Sequence, residues 1–119
     1  VTPLPARSGD ALTVTLRLAA MRPPDRDYTL FAHLLPAGGD DLLEQHDGQP
    51  FDGVFPTTDW PVGEPLDVPA VLHVPDGLAA GDYRVAIGWY DLATGVRLPV
   101  DLGPAGEAAD RFIVDVAVR

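Results

Sequence analysis

The stretch PDGLAAGDYRVAIGWYD, from Pro75 to Asp91, decides the fold. Alternate residues in its second half are apolar and would share one face of a strand: Tyr83, Val85, Ile87 and Trp89. The Leu-x-x-Gly-x-Tyr spacing of Leu78, Gly81 and Tyr83 matches a tyrosine corner, a turn found at the start of a strand in immunoglobulin-like sandwiches. The stretch therefore predicts an all-β, immunoglobulin-like antiparallel β-sandwich.

The rest of the chain is consistent with this class. Thirteen prolines and twelve glycines divide the 119 residues into short runs that suit strands better than helices. ALTVTLRL alternates cleanly, DYTLFAHLLP is apolar on both faces and predicts a central strand, and Pro69 within PLDVPAVLHV predicts an edge strand or a bulge. About seven strands result, in ranges 11–18, 27–36, 42–46, 65–74, 83–89, 96–100 and 111–118. We expect residues 1–119 to form a single β-sandwich domain, excised from a longer membrane protein.

Composition excludes several functions. Eight basic residues against eighteen acidic ones give a net charge of −10, which opposes binding to nucleic acid or to an anionic membrane surface. The chain has no cysteine and no lysine, Ser8 is its only serine, and no nucleotide-binding glycine motif occurs. No apolar run approaches the roughly 20 residues of a membrane span. We therefore expect no catalytic residues, no cofactor and no enzyme activity, although the carboxylates Glu44 and Glu64 leave a small hydrolase as a third alternative.

The segment HDGQPFDGVFPTTDW, His46 to Trp60, is the best candidate for a ligand site. Aromatic rings can stack on a sugar while carboxylates and amides bind its hydroxyl groups. The candidate residues are Trp60, Phe55, Asp47, Asp52, Asp59 and Gln49. The favoured alternative is structural: Trp60 and the two phenylalanines close the end of the sandwich, and Thr57, Thr58 and Asp59 cap turns.

Metal binding has weaker support in the sequence. Five aspartates lie within twenty residues but lack the spacing of a dedicated calcium loop: Asp40, Asp41, Asp47, Asp52 and Asp59. The three histidines lie on different predicted strands, without zinc-site spacing. We predict no metal site, and we expect His33 to be a core histidine hydrogen-bonded to backbone or to Asp47.

Several short motifs occur in a characteristic order between residues 11 and 100. They are His33-Leu34, Q-x-D at 45–47, P-T-x-x-W at 56–60, Gly63-Glu64, G-x-Y at 81–83 and G-x-Y-D-x-x-T-G-x-R-L at 88–98. Together they resemble the soluble β-sandwich region near the C-terminus of bacterial membrane proteins of the protein-mannosyltransferase-like glycosyltransferase type. The resemblance implies a non-catalytic, extracytoplasmic accessory module, tethered to the cell membrane through the parent chain. Its partners would be proteins or other domains of that chain, and the alternative is a carbohydrate-binding module, with or without calcium.

Overall fold

The computed structural model describes residues 4–100 and 110–119. Their strands are β1 (Leu4–Ala6), β2 (Ala11–Leu18), β3 (Thr29–Pro36), β4 (Glu44–Gly48), β5 (Leu66–His73), β6 (Gly81–Tyr90) and β7 (Phe112–Val118). Two short 3₁₀ turns span Pro50–Gly53 and Thr57–Asp59, and these residues contain no α-helix. No helix in the described ranges has the length and apolar character needed to cross a membrane.

The strands form two sheets that share one core. The larger sheet has the order β1-β7-β6-β3-β4, and the smaller one pairs β2 with β5. β1 runs parallel to β7, and every other pairing is antiparallel. The predicted all-β class is confirmed, and so is the strand count within the described residues.

One predicted strand is wrong and one was missed. Residues 96–100 form no strand, because β3 and β7 already occupy both edges of β6. Arg97 makes an isolated bridge to Tyr90, beyond the last β7 partner at Ile87, and the segment does not extend this bridge into a ladder. The additional strand is β1, which lies outside the seven predicted ranges. β4 also begins at Glu44, two residues later than predicted.

The core forms where alternate residues of both sheets meet. β2 and β5 contribute Leu12, Val14, Val68, Ala70 and Leu72, and the larger sheet contributes Leu34, Val85, Ile87, Trp89 and Val116. β3 is nearly buried along its whole length because β4 and β6 flank it, as predicted for a central strand. Pro69 lies in a sheet of only two strands, so the predicted edge position is confirmed.

The tyrosine corner is present at the start of β6. The Tyr83 hydroxyl donates a hydrogen bond to the Ala79 carbonyl at 2.7 Å, four residues upstream. Leu78 is half-buried and packs against the core beside it. The hydrogen bond fixes the direction in which the chain enters β6, the most buried strand besides β3.

Candidate functional site

Aromatic residues of the 46–60 segment face inward. The Trp60 and Trp89 rings meet edge to face at 5.3 Å, and Phe51 and Phe55 each lie 6.4 Å from the Trp60 ring. Trp60 is 8% exposed, and its indole N–H donates to the Phe55 carbonyl at 3.0 Å. A sugar could therefore stack on Trp60 only after the segment had left the sandwich.

Thr57 joins this segment to the loop before β3. Its hydroxyl oxygen accepts a hydrogen bond from the Tyr28 amide at 3.0 Å, and the same hydroxyl donates to the Arg26 carbonyl at 2.8 Å. The Thr58 hydroxyl donates to Asp27 at 2.5 Å. The predicted capping role is wrong, since none of the three residues caps the Thr57–Asp59 turn with its own side chain; the Asp27 carboxylate accepts from the Thr58 amide at 3.4 Å instead. Both threonines instead bond to the loop before β3, and Thr57 is buried against that loop.

A small groove of about 120 Å³ lies where the edges of β4 and β5 approach each other. Its apolar walls come from β3 and β5, and its polar rim comes from His46, Gln49 and Asp52. Phe51 and Asp52 both have left-handed backbone conformations, with φ of 53° and 54°. Such conformations are uncommon for residues with a Cβ, and the packing of Phe51 against Phe55 and Trp60 holds this one in place.

The structure separates the six predicted ligand residues. Gln49 and Asp52 line the groove, whereas Asp47 lies on the outer face of the larger sheet and Asp59 lies on the second 3₁₀ turn. Phe55 and Trp60 belong to the inward aromatic cluster. Sequence reasoning missed His46 and Phe51 in the groove. The alternation of β4 was the available signal, because consecutive residues His46 and Asp47 must point to opposite faces.

The outer face of the larger sheet carries a second cluster around Phe31. Phe31 is buried beneath the Arg97 guanidinium, which lies 4.6 Å from its ring centre, and the His33 ring lies 4.7 Å away. Asp47 accepts a hydrogen bond from the Tyr90 hydroxyl at 2.8 Å. His33 was expected in the core with a hydrogen bond to backbone or to Asp47; it lies instead half-buried on this outer face, and no hydrogen bond from its ring is found among the described residues.

Charge and burial around these groups shift their protonation. Burial lowers the pKa of His33, and the positive charges of Arg97 and Arg111 lower it further, against the opposing effect of Asp47. The hydrogen bond to Asp47 raises the pKa of Tyr90. The lowered pKa favours the neutral form of His33 on this face, where Arg97 and Arg111 lie nearby.

The residues of the 88–98 motif mostly have structural roles, in packing and in the turn after β6. Gly88 leaves room for the Phe31 ring, and Asp91 organises the following turn by accepting from the Ala93 amide at 3.1 Å and the Thr94 hydroxyl at 3.2 Å. Arg26 donates to Asp91 at 2.6 Å and lowers the pKa of that carboxyl group. Arg97 covers Phe31, so these residues have structural work that requires no ligand.

Three loops meet at one end of the sandwich, and we call this surface the loop end: residues 19–28, 49–65 and 91–96. Cross-loop contacts join them, through Thr57 to Arg26, Arg26 to Asp91, and the Gly63 amide to the Ala20 carbonyl at 2.8 Å. The loop end displays five strongly exposed apolar side chains: Met21, Val54, Val62, Leu92 and Val96. It also carries six carboxylates against two guanidinium groups: Asp25, Asp27, Asp52, Asp59, Glu64 and Asp91, with Arg22 and Arg26.

The predicted acidic residues do not assemble into a cation site in the parts of the chain that the structure describes. No group of three or more histidine, aspartate or glutamate side chains there is placed to hold a metal ion. Asp40 instead lies 3.4 Å from Arg84 and 3.9 Å from Arg111.

Comparison with known proteins adds no assignment: no protein-family model matches the chain, and no curated protein or solved structure matches it significantly. Functional inference therefore rests on the geometry of the molecule.

Proposed function

We propose that this chain is an immunoglobulin-like sandwich that serves as a non-catalytic, extracytoplasmic accessory domain of a bacterial membrane protein. The fold assignment is supported by strand order, because β3, β6 and β7 lie together in one sheet while β2 and β5 form the other. The hydrogen bond from Tyr83 to Ala79 at the start of β6 supports it independently.

The loop end is the observation that carries the functional proposal. Its large aromatic residues are turned into the core, and its exposed apolar residues are aliphatic side chains on loops tied to one another. A preorganised surface with apolar tips and an acidic rim suits a protein surface that has an apolar centre and basic surroundings. The domain would bind such a surface on another polypeptide or on its own parent chain.

Site-specific photo-crosslinking in cells that make the full protein tests this proposal. A photoreactive residue at Leu92 or Val54 should give cross-links to one polypeptide segment. Val71 is the matched control, because it is an exposed apolar residue on β5, outside the loop end. Equal cross-linking from Val71, or none from either loop position, would reject the loop end as the contact surface.

The groove beside β4 supports carbohydrate binding as a second candidate function. Gln49 and Asp52 offer hydrogen-bonding groups above an apolar floor, and the Phe51 ring lines the same groove. The test is thermal unfolding in the presence of calcium and a panel of mono- and oligosaccharides. A ligand at 100 times its Kd stabilises by about 2.7 kcal/mol, which raises the midpoint by several degrees. Gln49→Ala should abolish such a shift, whereas Gln45→Ala on the opposite face of the sheet should retain it.

A further inference from the structure

Three of the four sheet edges carry features that discourage pairing with another chain. β1 has only three residues and contains Pro5, and β5 has Pro69 near its middle. β4 is five residues long and exposes His46 and Asp47. Prolines, short strands and charged side chains are the usual protection of an exposed edge.

The β2 edge lacks this protection. β2 is eight residues long, contains no proline and pairs one-to-one with β5 from Ala11 to Leu18, so the bulge where Gly9 and Asp10 both bond to Val74 lies before the strand and not within it. Arg17, close to one end, is its only charged residue. Among the described strands none but β5 pairs with it. Leu16 and Leu18 on its core side remain half-buried, which leaves apolar surface at this edge.

The hydrogen-bond pattern shows which backbone groups of β2 face outward. Just before the strand, the Asp10 carbonyl accepts from the Val74 amide at 2.9 Å. Residues of an antiparallel strand direct their backbone groups alternately toward one neighbour and the other, so the even-numbered residues of β2 bond to β5. The odd-numbered residues then turn their amides and carbonyls to the open edge: Ala11, Thr13, Thr15 and Arg17. Pro69 opposes Thr15, where its missing amide costs no bond to β2.

The sequence of this strand is self-complementary. Residues 12–16 read Leu-Thr-Val-Thr-Leu, a palindrome centred on Val14. In an antiparallel pair of two such strands, Thr13 would oppose Thr15, Leu12 would oppose Leu16, and Val14 would oppose itself. The opposed threonines are the residues whose backbone groups face the open edge, so this register forms about eight inter-strand hydrogen bonds.

We propose that two copies of this chain associate through β2, antiparallel about a two-fold axis at Val14. The two small sheets then become one four-stranded sheet, β5-β2-β2-β5, in which the half-buried Leu16 of each copy packs against Leu12 of the other. This inference concerns the side of the smaller sheet and does not depend on the function of the loop end.

Two double variants differing at a single position test the register. Thr13 and Thr15 are exposed, so both variants should fold. Thr13→Lys with Thr15→Lys places like charges opposite each other across the axis, whereas Thr13→Lys with Thr15→Glu places opposite charges there.

Sedimentation equilibrium at rising concentration measures the mass of each protein in solution. We expect the wild type and the Lys/Glu variant to reach about twice the 12.7 kDa chain mass. The Lys/Lys variant should need at least about tenfold higher concentration to dimerise.

Other outcomes are also decisive. The Lys/Lys variant is less negative than the wild type, so general charge repulsion cannot explain its dissociation. A wild type that stays at the single-chain mass overturns the proposal, as does a Lys/Lys variant that dimerises like the wild type. If the Lys/Glu variant dimerises as weakly as the Lys/Lys variant, the proposed register is wrong.

Because the chain has no cysteine, a disulfide can report the same register. A mixture of Thr13→Cys and Thr15→Cys chains should cross-link on oxidation, since opposed residues lie within disulfide reach. Thr15→Cys chains alone should not, because the two Thr15 positions are offset along the strands.

Discussion

At the scale of single residues, the outer face of the larger sheet depends on Gly88. A Cβ at this position would lie 2.6 Å from Cζ of Phe31 and 2.9 Å from the Asp110 carbonyl oxygen, so ring and backbone would both have to move. We expect Gly88→Ala to lower the free energy of unfolding by about 1–3 kcal/mol, the usual cost of overpacking. Urea denaturation measures it. Gly38→Ala is the control, because nothing lies within 4 Å of a Cβ there. Equal stability of the two variants would mean that Phe31 can move freely.

His33 gives the molecule a specific response to pH. Burial lowers its pKa below the ordinary value of 6.5, so the folded state binds a proton less readily than the unfolded state. The free energy of unfolding should therefore be fully maintained above about pH 6.5 and should fall as the pH drops through that value toward the folded pKa. His33→Gln should flatten this dependence below about pH 6.5. Parallel curves for the two proteins in denaturant titrations would show that His33 does not contribute.

At the scale of elements, the Thr57 hydroxyl links the 46–60 segment to the loop before β3. Replacing it by valine keeps the shape but leaves the Tyr28 amide and the Arg26 carbonyl without a partner. Thr57→Val should destabilise the protein by about 1–3 kcal/mol. Thr57→Ser keeps the hydroxyl and should lose less. Chemical denaturation measures both variants, and a valine variant at least as stable as the serine variant would show that the hydroxyl hydrogen bonds do not stabilise the fold.

Element patterns also explain what the sequence could predict. The sequence predicts β2, β5, β6 and β7 from their period-two alternation and β3 from its apolar run, because both patterns are visible without tertiary structure. β1 lies outside the predicted ranges because its three residues, which include Pro5, are too few to show an alternation. The strand predicted at 96–100 failed because edge occupancy in a sheet is a tertiary property.

The candidate site was harder to predict for the same reason. That Trp60 packs on Trp89, and that Thr57 bonds to residues about thirty positions earlier, depends on which loops meet at one end. The left-handed conformation of Phe51 and Asp52 depends on that packing too. The sequence shows that the 46–60 segment is rich in aromatic and acidic residues, but it does not show which of its side chains face the core and which face the groove.

At the scale of the whole molecule, charge is the dominant unbalanced quantity. The chain carries a net charge of −10 within a radius of gyration of 14.5 Å. Five ion pairs are found among the described residues, all with at least one well-exposed partner, so solvent screens them and they contribute little to the free energy of unfolding. Most of the carboxylates therefore repel one another without compensation.

This excess predicts that salt stabilises the fold. The screening length is about 30 Å at 0.01 M salt, so charges repel across the entire molecule, and it falls to about 10 Å at 0.1 M. Raising NaCl over this range should increase the thermal midpoint by a few degrees, because the lost repulsion exceeds the weakened ion pairs.

Asp52→Asn with Asp59→Asn should raise the midpoint at low salt and reduce its salt dependence. These two residues suit the test because both are exposed, neither belongs to an ion pair found here, and asparagine tolerates the left-handed conformation at position 52. A midpoint that falls with added salt would instead mean that the arginine pairs outweigh the general repulsion, and the double variant would then leave the slope unchanged.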